Sequence, residues 1–243
     1  DWVIGALGGG AGSVQASLGT LVHHALETVE GHDPDEMLGA IFAEWKKLPF
    51  DAEWESERAR RTAAQMAGGL SDYLREFEAS GKELLGQESG FSLAAGRAEL
   101  RGIADRLEVQ RGGSGTEVTV VDLKTGRTPA TKPEAEEHVQ LQAYQLGVLL
   151  GAFDTGDVEV GADVRTAAKL LYVHPDAARG KGYVLREQSG LSEDAREQLV
   201  ARIADVADTM AAGAFTARVE HHCSDPHRPG NCRLHIIQAV SHA

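Results

Sequence analysis

Between residues 17 and 30 the apolar positions fall at Leu18, Leu21, Val22, Ala25, Leu26 and Val29, the three-to-four spacing of a helix with one buried face. Gly19, His23 and Glu27 lie on the adjacent face, one turn apart. The same period predicts a second helix over 36–45 and a long third over 54–80, with Met66, Leu70, Tyr73, Leu74 and Phe77 as its inner side. Glu57-Arg58-Ala59-Arg60-Arg61, near the start of that helix, reads as a charged, solvated face. From about residue 91 the period changes to two. Strands are predicted over 91–94, 99–109 and 116–124, the last two joined as a hairpin by the glycine-rich turn at 111–115. A helix over 134–151 follows, then strands over 169–174 and 183–187. A last helix over 192–212 has Ser192 as its N-cap, ahead of Glu193 and Asp194. This order predicts an α/β fold in which a mixed central sheet is flanked by helices and preceded by a helical segment.

Two strands carry charge on their apolar faces. Side chains alternate along a strand, so Asp122 and Lys124 share a face with Val118 and Val120. Asp105 stands among Ile103, Leu107 and Val109 in the same way. Hairpin pairing brings Asp105 and Asp122 together beside an ammonium. A hard divalent cation such as Mg²⁺ takes one or two carboxylates, waters and phosphate oxygens. Lys124 beside it can position or deprotonate a water and stabilise developing negative charge. Asp-x-Lys is also a common spacing, and an ordinary ion pair on a hairpin surface has the same residues.

Four segments in order resemble the RecB-type branch of the PD-(D/E)XK nuclease superfamily. They are Gly19-Thr20-Leu21-Val22-His23 with Ala25-Leu26-Glu27, Gly102-Ile103-Ala104-Asp105-Arg106-Leu107-Glu108, Val121-Asp122-Leu123-Lys124-Thr125-Gly126, and Gln140-Leu141-Gln142-Ala143-Tyr144. The likeness is greatest to the C-terminal nuclease modules of AdnA/AdnB-type bacterial helicase-nucleases, which process double-strand breaks. The tail from Cys232 to Ser241 looks most like the AdnA side. The resemblance implies a restriction-endonuclease-like core and a Mg²⁺- or Mn²⁺-dependent deoxyribonuclease of exonuclease type. It implies Asp105, Asp122 and Lys124 as catalytic residues. His23, Asp105, Asp122 and the backbone carbonyl of Leu123 are the implied metal ligands. His24 points about 100° away from His23 on a helix, and His23 is the one within the motif. Gln140 and Tyr144, one turn apart, would contact the DNA backbone or buttress the lysine; a plain polar helix face is the other reading. Thr125 and Gly126 shape the turn after the lysine. Glu88 and Glu99 lie near the sheet start, where a third carboxylate is left open.

The chain has 243 residues, 42% of them hydrophobic, enough for one domain with a real core. The expected layout is a single nuclease domain over 1–243: a helical part at 13–85, the sheet and its flanking helices at 86–215, and a tail at 216–243. No run approaches the ~18 apolar residues of a membrane span. The glycine-rich segment from Trp2 to Gly12 lacks the basic start of a signal peptide. With two cysteines there is no disulfide framework, and a cytoplasmic site is the expectation. Some relatives staple the tail with a [4Fe–4S] cluster, which needs four thiolates. Cys223 and Cys232 cannot supply them, so no complete Fe–S cluster is expected within the chain. Cys223, Cys232 and His235 could form a structural zinc site, but the spacing is not that of a standard finger, and buried or free thiols are the favoured reading.

Net charge is −13, from 24 basic and 37 acidic residues. That opposes strong intrinsic binding of a polyanion. It fits a module that receives DNA from a basic neighbour, such as motor domains of the same polypeptide or a helicase partner subunit. No Gly-x-x-x-x-Gly-Lys-Ser/Thr loop is present, so the chain is not itself the motor. Three functions remain: an active nuclease cutting single-stranded DNA ends in double-strand-break repair, a catalytically silent domain that docks DNA or a subunit, and a stand-alone nuclease with another substrate, RNA included. Retention of His23, Asp105, Asp122 and Lys124 favours the first.

Overall fold

A computed structural model of the chain describes residues 14–112, 115–153 and 164–212. The Trp2–Gly12 segment and the cysteine- and histidine-bearing tail lie outside the described residues. Three helices come first: α1 (Val14–Thr28), α2 (Pro34–Ala43) and α3 (Glu53–Ala79). Asp33 caps α2 by accepting from the Asp35 N–H, and Pro34 occupies the first turn, where no N–H is needed. Leu18, Val22, Ala25 and Leu26 of α1 are buried against Ala63, Met66 and Leu70 of α3 and against Met37 and Ile41 of α2.

A five-stranded sheet follows: β1 (Glu83–Ala95), β2 (Ala98–Gly112), β3 (Gly115–Lys124), β4 (Val164–Tyr172) and β5 (Val184–Gln188), paired in chain order. All neighbours are antiparallel except β3 and β4, which run parallel. The parallel step needs a crossover, and α4 (Lys132–Glu136) and α5 (Val139–Leu149) supply it. A short α6 (Pro175–Ala178) and the final α7 (Glu193–Ala211), capped by Ser192, complete the chain order. One apolar cluster joins the first three helices to Val121, Leu123, Leu171 and Val173. The other packs α5 and Leu199 of α7 on the opposite sheet face, against Leu107, Val118, Val120 and Leu170. The mixed sheet flanked by helices, with helices at the start, is as expected from the sequence.

Four details depart from the sequence reading. The first strand begins at Glu83 rather than 91. Polar and glycine positions through Gly90 hide its period. The helix expected over 134–151 is two helices that break at Glu137 and His138. Gln188 of β5 explains the break, because its Nε2 donates to the carbonyls of Ala135, Glu136 and His138 at 2.9–3.1 Å. The strand expected over 169–174 runs from Val164 to Tyr172 instead, and His174 caps α6 through the Asp176 N–H. Ile103, assigned to the inner face of β2, is 56% exposed.

The sheet also buries a charged group beneath α3. Glu108, 1% exposed, accepts from Tyr73 Oη at 2.6 Å, Arg106 Nε at 3.0 Å and Lys169 Nζ at 3.0 Å. Burial alone would raise its carboxyl, but Lys169, Tyr73 and Arg106 overcome that and hold it below the usual range. A carboxyl depressed on folding stabilises the fold above its unfolded pKa, about 4.3, and that stability is lost as pH falls through the folded value. Glu108→Ala, which leaves two buried cations without their carboxylate, is expected to cost about 3–5 kcal/mol in urea unfolding at neutral pH. The wild type should lose stability below pH ~4.3 more steeply than Glu108→Gln. Equal acid profiles would show that Glu108 is not held ionised.

Candidate active site

The site forms where β2 and β3 part. Their ladder runs from Gly112↔Gly115 to Arg106↔Val121 and goes no further. β3 continues on its other side along β4, through Asp122↔Leu170, Leu123↔Leu171 and Lys124↔Tyr172. The Leu123 N–H therefore finds no β2 carbonyl, and Asp105 Oδ2 accepts it at 2.6 Å. The other oxygen, Oδ1, lies 3.2 Å from His23 Nδ1 of α1. Gly19, one turn before His23, lets α1 come close: a Cβ there would sit 2.7 Å from Thr125 Oγ1, just past Lys124. His24 turns away to Glu27 at the surface.

Glu88 completes a cluster. It falls between Gln87, paired with Arg106, and Ser89, paired with Ala104, which puts it across from Asp105. Ligand atoms of His23, Glu88 and Asp105 all lie within 4.8 Å of one another. Glu88 has φ +42°, a left-handed backbone that a non-glycine residue adopts at a cost of ~1–3 kcal/mol. Glu99 is elsewhere, at the surface with Ser92 and Arg101.

Asp122 stands beside this cluster rather than within it. It is 3% exposed, and its buried Oδ2 pairs with the Lys124 ammonium 2.6 Å away. Lys124 Nζ also donates to Gln140 Oε1 at 3.3 Å. Gln140 Nε2 donates to Tyr144 Oη at 2.8 Å, and Tyr144 donates to the Ile103 carbonyl at 2.7 Å. Burial pushes the Tyr144 phenol up to about 12, so it keeps its proton and the direction of this chain is fixed. Gln140 must then turn its oxygen to the lysine.

The charges are mutually unfavourable. Burial pushes Asp122 up, with Lys124 opposing. Burial and then Asp105 push Glu88 up. Burial would lower His23, but Asp105, Asp122 and Glu88 raise it overall. Carboxylates crowded around an imidazole, as at His23, Glu88 and Asp105, suit a divalent cation. His138 was not singled out from the sequence. This N-cap residue of α5 has a buried Nδ1 without a hydrogen bond, and burial, then the Lys124 charge, lowers its pKa. A lone histidine in a predicted helix gives no signal for such a place.

His23, Glu88 and Asp105 form a cluster that could hold a metal ion, with Lys124 near it at the end of β3. Residues 6–234 match the PD-(D/E)XK nuclease superfamily, and the chain belongs to it. Members of that superfamily are nucleases that generally use divalent metal ions. A search of curated proteins finds no match. No helix among the described residues is long and apolar enough to cross a membrane.

The strained backbone at Glu88 gives a direct check. Glu88→Gly should be more stable than Glu88→Ala by about 1 kcal/mol in urea unfolding, because only glycine is at ease at positive φ. Equal stabilities would show that residue 88 relaxes out of this conformation and that the carboxylate is not held in place by the sheet.

Proposed function

We propose that the chain is a Mg²⁺- or Mn²⁺-dependent deoxyribonuclease domain that cuts single-stranded DNA ends as the nuclease module of an AdnA/AdnB-type helicase-nuclease in double-strand-break repair. The observation that carries this reading is Asp105, which bridges His23 and the Leu123 N–H while Lys124 stands beside it on Asp122 and Gln140. His23, Asp105, Asp122 and the Leu123 carbonyl would hold the metal, with Glu88 close by. A bound divalent cation supplies charge neutralisation at the phosphate and a lowered pKa for its water. Lys124 orients the attacking water and offsets negative charge as it develops on the phosphate oxygens. Asp122 pairs with this ammonium, and the Gln140–Tyr144–Ile103 chain fixes its direction.

The net charge of −13 supports the module reading. Repulsion lowers the encounter rate with DNA, and delivery by attached motor domains or a helicase subunit raises the effective concentration at the site. We propose one nuclease domain over residues 1–243, working in the cytoplasm.

The test is incubation of the purified chain with end-labelled single-stranded DNA, with and without Mn²⁺. Cleavage should need the metal and vanish in Asp122→Ala. Lys124→Ala should lower kcat by about 100-fold or more with little change in KM. Cleavage by Asp122→Ala at the wild-type rate would refute the metal assignment, and a wild type that cuts nothing with Mn²⁺ would favour a silent docking domain.

A further inference from the structure

A groove of about 330 Å³ runs beside the active-site loop, between the start of α1, the first turns of α3 and residues 125–127. Trp54, Arg58, Thr62 and Met66 recur every four residues along α3 and all line it. Leu18 and Met66 are buried and form an apolar floor, whereas Trp54 stands at the rim, 66% exposed. The volume is at the low end of small-ligand pockets, about 300–1,000 Å³, and suits a single planar group.

The rim charge is opposite in sign to that of the chain. Arg58 is exposed and makes no ion pair among the described residues. Arg127 also lines the groove and meets Asp176 only at 3.8 Å. Arg60, on a neighbouring face of α3, is committed to the Phe42 and Trp45 rings. One carboxylate, Glu55, lies on the lining, and its Oε2 accepts from the Asp51 N–H. Two guanidiniums beside an exposed indole on an acidic protein are complementary to a strand that offers both phosphates and bases.

The groove adjoins the active site along the chain. Thr125 and Gly126 line it and directly follow Lys124. Leu18 precedes His23 by five residues on α1, a rise of about 7.5 Å.

We infer that this groove is a base-stacking subsite for the single-stranded substrate: an unpaired base next to the scissile phosphate lies on the Trp54 indole, and Arg58 and Arg127 hold the flanking phosphates. The inference rests on the nuclease reading for what approaches the site. Stacking is tolerant of sequence, since every base has a π-face, but a base inside a duplex has both faces covered and cannot enter. The groove thus supplies a preference for single strands that the metal cluster alone does not.

Binding without cutting separates this inference from the nuclease reading. A fluorescent oligo(dT) and an abasic strand of equal length and charge are titrated with the chain in chelator at low salt, using wild type, Trp54→Ala, Trp54→Phe and Arg58→Ala. Wild type should prefer oligo(dT) by about tenfold, within the range of measured base–aromatic stacking. Trp54→Ala should lose that preference by weakening oligo(dT) binding alone, and Trp54→Phe should keep most of it. Arg58→Ala should weaken both strands alike and reduce the salt dependence. A preference unchanged in Trp54→Ala, or none in wild type, overturns the subsite even if the chain cleaves DNA. A Trp54-dependent preference in a chain that cuts nothing upholds the subsite and counts against the nuclease reading alone.

Discussion

The hydrogen bond from the Leu123 N–H to Asp105 Oδ2 is the constraint around which the site is arranged. β3 stays a strand beyond Val121 because β4 pairs with it through Lys124, while β2 has already left it. A buried backbone donor without a partner costs about 1–3 kcal/mol, and the Asp105 carboxylate removes that cost. The same contact aims the second Asp105 oxygen at His23 and leaves Asp122 and Lys124 facing the gap. Opening the sheet, satisfying its backbone and orienting Asp105 toward His23 are therefore one event. The helices serve it too, since Gly19 lets α1 sit against Thr125 and bring His23 into reach.

Two buried carboxylates near this point show how differently the fold treats structure and chemistry. Glu108 has three partners, and its pKa is depressed. Asp122 is almost as buried, yet among the described residues it pairs with Lys124 alone and its pKa is raised. Burial acts on both in the same direction; the number and sign of their neighbours decide the outcome. Asp122 has one ammonium where Glu108 has two cations and a phenol, and Asp105 nearby adds to the repulsion. The left-handed backbone at Glu88, opposite Asp105, is a second cost concentrated there.

Much of this was legible in the sequence because it follows from period. Alternation placed Asp122 with Lys124 on one strand face, and helical spacing placed Gln140 with Tyr144. What alternation does not carry is where a ladder stops, so the parting at Arg106↔Val121 was invisible. Glu88 sits on a strand whose glycine and polar positions obscure the period, and it stayed one of two candidates with Glu99. The break at His138 depends on Gln188, fifty residues further along the chain, and no local propensity reports such a contact. Arg58 read as a solvated charge and is exposed, but its place on one wall with Arg127 exists only after α1, α3 and the loop beyond Lys124 meet.

Calorimetric titration with Mn²⁺ tests the metal site most directly, since it needs neither substrate nor partner. Wild-type protein should bind the ion with a saturable heat, and Asp105→Asn should lose that heat while remaining folded by circular dichroism. A variant that binds Mn²⁺ as the wild type does would show that the cluster at the parting of β2 and β3 is not where the metal sits.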